Sequence, residues 1–120
     1  MTERRRIQRR SISYYLRVID AGENQMIGHL ADITLTGLRM DSQKPIKVLK
    51  EFQLRIYTSS DVSDKDYIEF GARAKWCKID PVDPGLYDVG FEIIKISPHD
   101  TAVVKHIMDK YSSRDSSSML

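Results

Sequence analysis

Five arginines stand within the first ten residues, at Arg4, Arg5, Arg6, Arg9 and Arg10. A guanidinium is planar and permanently charged, and its fork of donors matches phosphate oxygens or the O6/N7 edge of guanine. Further along, Asp32-Ile33-Thr34-Leu35-Thr36-Gly37 offers a carboxylate, a hydroxyl and a backbone position without a side chain, in the pattern Asp-x-Thr-x-x-Gly. A carboxylate accepts from the N1 and N2 donors on the Watson–Crick edge of guanine, and a hydroxyl adds one more bond. Both halves of a nucleotide therefore have partners, and the chemistry is that of binding rather than reaction.

No other constellation competes with this one. His29, His99 and His106 are scattered, and only the last two share a helical face, whereas a metal site needs convergent ligands. Cys77 follows Trp76 with no activating base nearby, so it reads as a half-buried structural thiol. Trp76 itself reads as core or barrel-edge packing. Asp61, Asp64 and Asp66 lack the glycine and terminal glutamate of a calcium loop and are expected in a solvated hairpin. Asp80, Asp83 and Asp88 are likewise expected in a solvated loop, with Pro81, Pro84 and Gly85 marking a turn. No catalytic residue, cofactor or metal site is predicted, and an enzyme is the least favoured class.

The bulk properties narrow the class further. A chain of 120 residues with 41% hydrophobic content suits one modest core. A formal net charge of +2 is too small for a general nucleic-acid coat, so stable nucleic-acid binding is not expected. One cysteine and an N-terminus without an apolar core imply a reducing cytoplasm. No apolar run approaches the roughly 20 residues that cross a bilayer, so membrane insertion is not expected.

The elements that must position the motif are mostly strands. Ser11 to Asp20 is rich in β-branched and aromatic residues, Ala21 to Asn24 reads as a hairpin turn, and Gln25 to Ile33 as a second strand. In that strand Met26, Gly28, Leu30 and Asp32 would share one face, with Ile27, His29, Ala31 and Ile33 on the other. Asp32 to Gly37 reads as a turn whose glycine supplies a conformation costly for other residues. Further strands are predicted at Ile46 to Leu49, Phe52 to Thr58, Tyr67 to Ile79 with a bend at Gly71, and Leu86 to Ile96. Six or seven strands describe a barrel or sandwich. Ser97-Pro98-His99-Asp100 starts a closing helix with a Ser cap and Pro at its first position, and Val103, Val104, Ile107, Met108 and Tyr111 recur on one face. The expected organisation is a basic arm at 1–10, a barrel plus helix at 11–111, and a disordered tail at 112–120.

Arg4-Arg5-Arg6-Ile7-Gln8-Arg9 followed by Asp32-x-Thr34-x-x-Gly37 resembles the PilZ domain, a bacterial receptor for cyclic di-GMP. That family's pattern is Arg-Arg-x-x-x-Arg and Asp/Asn-x-Ser-x-x-Gly on a six-stranded antiparallel barrel, commonly with a C-terminal helix. The departure is Thr34, which keeps the hydroxyl and adds a methyl group. A second register would make Arg6 and Arg10 the ligand pair; Arg5 and Arg9 are preferred. Ala72-Arg73-Ala74-Lys75-Trp76 and Val89-Gly90-Phe91-Glu92 also resemble the family and read as barrel-building segments. The resemblance implies cyclic di-GMP bound by Arg5, Arg9, Asp32, Thr34 and Gly37, with support from Arg4, Arg6 and Arg10. It further implies output through an unidentified protein effector, in motility or biofilm control. The alternatives are a ligand-blind interaction module of the same fold, and a small β-barrel that binds RNA or single-stranded DNA, for which Tyr14 and Tyr15 are candidate stacking residues.

Overall fold

The computed structural model describes residues 16–58 and 65–112. The arginine arm, Tyr14 and Tyr15, most of the strand expected from Ser11, Asp61 and Asp64 of the acidic loop, and the tail beyond residue 112 lie outside them. Alternation of inward apolar and outward polar side chains produces six strands: β1 (Arg17–Asp20), β2 (Gln25–Ile33), β3 (Gly37–Ser42), β4 (Glu51–Tyr57), β5 (Tyr67–Ile79) and β6 (Tyr87–Lys95). All neighbours are antiparallel, and the order β1-β2-β3-β6-β5-β4 closes into a barrel as β1 pairs with β4. Val18, Met40, Leu54, Ile56, Ile68, Phe70 and Val89 fill the interior, and Phe52 meets Phe91 edge-on at 5.7 Å.

Ile46 to Leu49 is not the strand its composition predicts. It belongs to the connection between β3 and β4, where Pro45 has no N–H to donate and Leu49 takes the left-handed conformation with φ 73°. Ile46 packs against the core, Leu49 is 68% exposed, and pairing with β5 goes only as far as Leu49 N to Ala74 O (2.7 Å) and Ala74 N to Lys50 O (3.0 Å).

Strand β2 also departs from simple alternation. Its register against β3 shifts between Leu30, which faces Met40, and Asp32, which faces Arg39. The extra residue, Ala31, resets the phase, so Leu30 and Ile33 both reach the core while Asp32 stays half-buried on the outside. The bend foreseen at Gly71 is a register shift against β6 between Gly71 and Ala72, with a second between Ala74 and Trp76.

The closing helix α1 (Pro98–Ile107) starts as its sequence dictates: Ser97 Oγ accepts from Asp100 N at 3.1 Å and Pro98 takes the first turn. Val103, Val104 and Ile107 are buried against the barrel core, with Met108 packed beside them. Asp100 is itself buried, accepting from Lys65 Nζ at 2.8 Å and Glu69 N at 3.2 Å, and so ties the helix start to the β4–β5 connection. A π-helical turn (Met108–Ser112) continues the chain. Among the described residues no helix is long and apolar enough to cross a membrane.

Candidate ligand-binding site

The β2–β3 hairpin carries the Asp-x-Thr-x-x-Gly motif, and its turn is tighter than the sequence suggests: Asp32 and Ile33 still belong to β2 and Gly37 already opens β3. Thr34 N donates to Gly37 O at 2.8 Å. The Thr34 hydroxyl accepts from Thr36 N (3.3 Å) and Gly37 N (3.2 Å) and reaches Gly37 O at 3.3 Å. This hydroxyl is an organiser of the turn, the familiar role of Ser and Thr in such positions. Thr36 O accepts from Ile93 N at 2.8 Å, which fastens the turn to β6.

Gly37 is required for a different reason from the one its sequence context implies. No glycine among the described residues has a positive φ. A Cβ on Gly37 would instead stand 2.5 Å from Phe91 O, so a side chain here would force β3 and β6 apart.

Beside the turn lies a concavity of about 290 Å³ lined by Asp32, Ile33, Thr34, Gly37, Leu38 and Arg39. The hairpin thus brings together Asp32, Thr34 and Gly37, whereas Arg5 and Arg9, with Arg4, Arg6 and Arg10, lie outside the described residues. Asp32 Oδ1 accepts from Ile33 N at 2.9 Å. Arg39, directly across from Asp32, is a site residue that sequence reasoning missed; its signal was alternation, two residues after Gly37 on an outward-facing strand position. Asp32 and Arg39 make no ion pair with one another or with other described residues. By contrast, Arg55 bonds Glu69 at 3.0 Å and Arg73 bonds Glu51 at 2.7 Å. Side-chain hydrogen bonding to Tyr57 and Glu69 raises the pKa of Arg55, and bonding to Glu51 raises that of Arg73. The carboxylate and guanidinium at the concavity are left available to a ligand with complementary donors and acceptors.

Other candidates resolve differently. Trp76 is not in the core: it is 40% exposed on the outer face, its indole lying on Gly90. Cys77 is half-buried, and its sulfur accepts from Ile46 N at 3.5 Å. Asp80 is a buried turn organiser, with Oδ1 accepting from Val82 N (2.7 Å) and Asp83 N (3.0 Å). Its carboxylate also gathers with those of Asp41 and Asp88, their oxygens within 4.8 Å of one another, and each takes part in further polar or electrostatic contacts. None of His29, His99 and His106 belongs to that group.

The model of the family described as PilZ domain matches residues 3–110, which includes both the arm and the hairpin motif. The chain belongs to the PilZ domain family. Solved structures agree on the fold. This PilZ domain superposes on the Bacillus subtilis inhibitor of motility MotI/DgrA with a TM-score of 0.64 at 13% identity, covering 83% of this chain and 47% of that one. The chain therefore spans about half the length of that protein. It superposes on the PilZ domain of YcgR from Escherichia coli, solved with c-di-GMP, with a TM-score of 0.59 at 14% identity, covering 88% of each chain. A search of curated proteins found no match.

Proposed function

We propose that this PilZ domain is a non-enzymatic cytoplasmic receptor for cyclic di-GMP, with Arg5 and Arg9 of the arm and the Asp32–Gly37 hairpin as the two halves of its site. The observation that carries the reading is the concavity beside the family's hairpin motif, where Asp32 and Arg39 face each other without forming an ion pair. The carboxylate takes the N1 and N2 donors of guanine, the arm guanidiniums take phosphate oxygens or the O6/N7 edge, and Thr34 and Gly37 hold the turn in shape. Arg4, Arg6 and Arg10 strengthen the local field. Strand direction favours the meeting of arm and hairpin: β1 runs antiparallel to β2, with Leu30 N donating to Leu16 O, so the chain arrives at β1 from the side of the barrel where β2 turns at Thr34.

Binding then draws the arm across the barrel and creates a surface for a partner protein, the route by which motility or biofilm formation would be controlled. A ligand-blind module of the same fold is the second reading, favoured by one observation: the Thr34 hydroxyl is already engaged within its own turn. Calorimetric titration with cyclic di-GMP, GTP and a short RNA separates the two. Saturable heat with the dinucleotide alone, lost in Arg5→Ala and Asp32→Ala, supports the receptor; no heat at high micromolar dinucleotide leaves the docking module, and heat with RNA alone leaves the nucleic-acid binder.

A further inference from the structure

Two segments distant in the sequence lie side by side at the end of the barrel away from the hairpin motif. β3 leaves the hairpin at Gly37 and ends at Ser42, and the connection that follows runs back along the second half of β5. Leu49 N donates to Ala74 O at 2.7 Å, Ala74 N to Lys50 O at 3.0 Å, and Ile46 N to Cys77 Sγ at 3.5 Å. Ser42 to Lys50 carries Lys44, Lys47 and Lys50 and no acidic residue; Ala74 to Ile79 adds Lys75 and Lys78, again with no acidic residue. All five lysines are exposed. Among the described residues only Lys75 of the five forms an ion pair, with Glu92 at 3.6 Å. On a chain of formal net charge +2 this is a local concentration of positive charge with little to neutralise it.

Among those lysines the surface is apolar. Val48, Leu49 and Ile79 are exposed, and the rise of β5 sets Leu49, beside Ala74, about 17 Å from Ile79. One exposed apolar side chain is ordinary on a folded domain, whereas three along a strip bordered by cations form the kind of patch that a partner covers. Leu49 is the most telling of them. It holds a left-handed φ of 73°, which its Cβ disfavours, and gains little burial in return. A strained residue whose own fold does not bury it has its packing in a complex.

We propose that the β3–β4 connection and the second half of β5 form a docking surface for an acidic segment of a partner protein, whose aliphatic side chains cover Val48, Leu49 and Ile79 while its Asp and Glu residues meet the lysines. Docking there is independent of the receptor reading, because β3 separates this surface from Asp32–Gly37. A second copy of this chain is a poor occupant, since a two-fold contact would set the lysines against themselves. A nucleic-acid backbone would satisfy the lysines and leave the apolar strip uncovered. An anionic bilayer takes side chains that stand out into the headgroup layer, whereas this connection is pinned along β5 and seats Ile46 on the core.

The full chain is panned against a displayed library of random peptides of about 15 residues, enough to span the strip in helical or extended form, and the enriched peptides are titrated by fluorescence anisotropy. They should combine Asp and Glu with Leu, Ile or Phe. Leu49→Gly should weaken them about 5- to 30-fold while raising the melting temperature of the free chain, a split that a leucine serving only the fold would not produce. Lys47→Glu should weaken them about three- to tenfold, a difference that high salt erases. Peptides that bind both variants as tightly as the unaltered chain, or that are acidic without apolar residues, have been captured elsewhere, on the arginine arm for example, and overturn the proposal. So does a library that yields no enrichment. Binding of phosphatidylglycerol vesicles or a short RNA that is lost in Leu49→Gly, in place of peptides, overturns it in favour of a membrane or nucleic-acid contact. Absence of heat with cyclic di-GMP would sink the receptor reading and leave this one standing.

Discussion

At the scale of single residues, Thr34 shows how one hydroxyl serves a turn before it serves a ligand. Its oxygen accepts from two backbone N–H groups, so Thr34→Val should leave both without that acceptor at a solvent-exposed site. The expected cost is about 0.5–1 kcal/mol, with Thr34→Ser close to neutral, measured by urea denaturation. The motif's residue types were legible in the sequence because turn chemistry is local. Arg39 was not, because its position opposite Asp32 depends on the pairing of β2 with β3 and on the shift at Ala31. The exposed setting of Trp76 was hidden for a similar reason: strand periodicity alone does not say which face the second half of β5 presents once its register slips between Ala74 and Trp76.

At the scale of elements, the hairpin and the β3–β4 connection store opposite kinds of constraint. Gly37 stands where β3 passes closest to β6, and Gly37→Ala should destabilise the barrel by about 1–3 kcal/mol as the two backbones are forced apart, seen as a fall in denaturation midpoint. Leu49 holds a left-handed φ of 73° with its side chain 68% exposed, so the conformational cost is offset by little burial. Leu49→Gly should therefore stabilise the fold by about 0.5–1 kcal/mol, and a loss of stability would show that the leucine packs more than its exposure indicates. The predicted strand at Ile46 to Leu49 failed because an apolar run near a proline anchors a connection through Ile46 as readily as it builds a ladder.

For the whole molecule, closure of β1 against β4 gives a barrel whose interior is complete within the described residues, with α1 packed onto its core. Removing residues 1–10 should then leave circular dichroism and melting unchanged in the free protein and abolish stabilisation by cyclic di-GMP. With the full chain, ligand at a hundredfold over its dissociation constant should add about 2.7 kcal/mol to the unfolding free energy, read as a rise in melting temperature. Equal stabilisation of both forms would remove the arm from the site.

Most of the strands, the helix start at Ser97 and the residue types of the hairpin were legible from local order, since propensity, capping and turn formation are settled by sterics and hydrogen bonds among near neighbours in the chain. The outward setting of Asp32, the close approach that demands Gly37, and the placing of Arg39 opposite Asp32 were decided only when distant strands paired. Register is a property of two strands packed on a shared core, and one inserted residue such as Ala31 shifts which side chains reach the surface together.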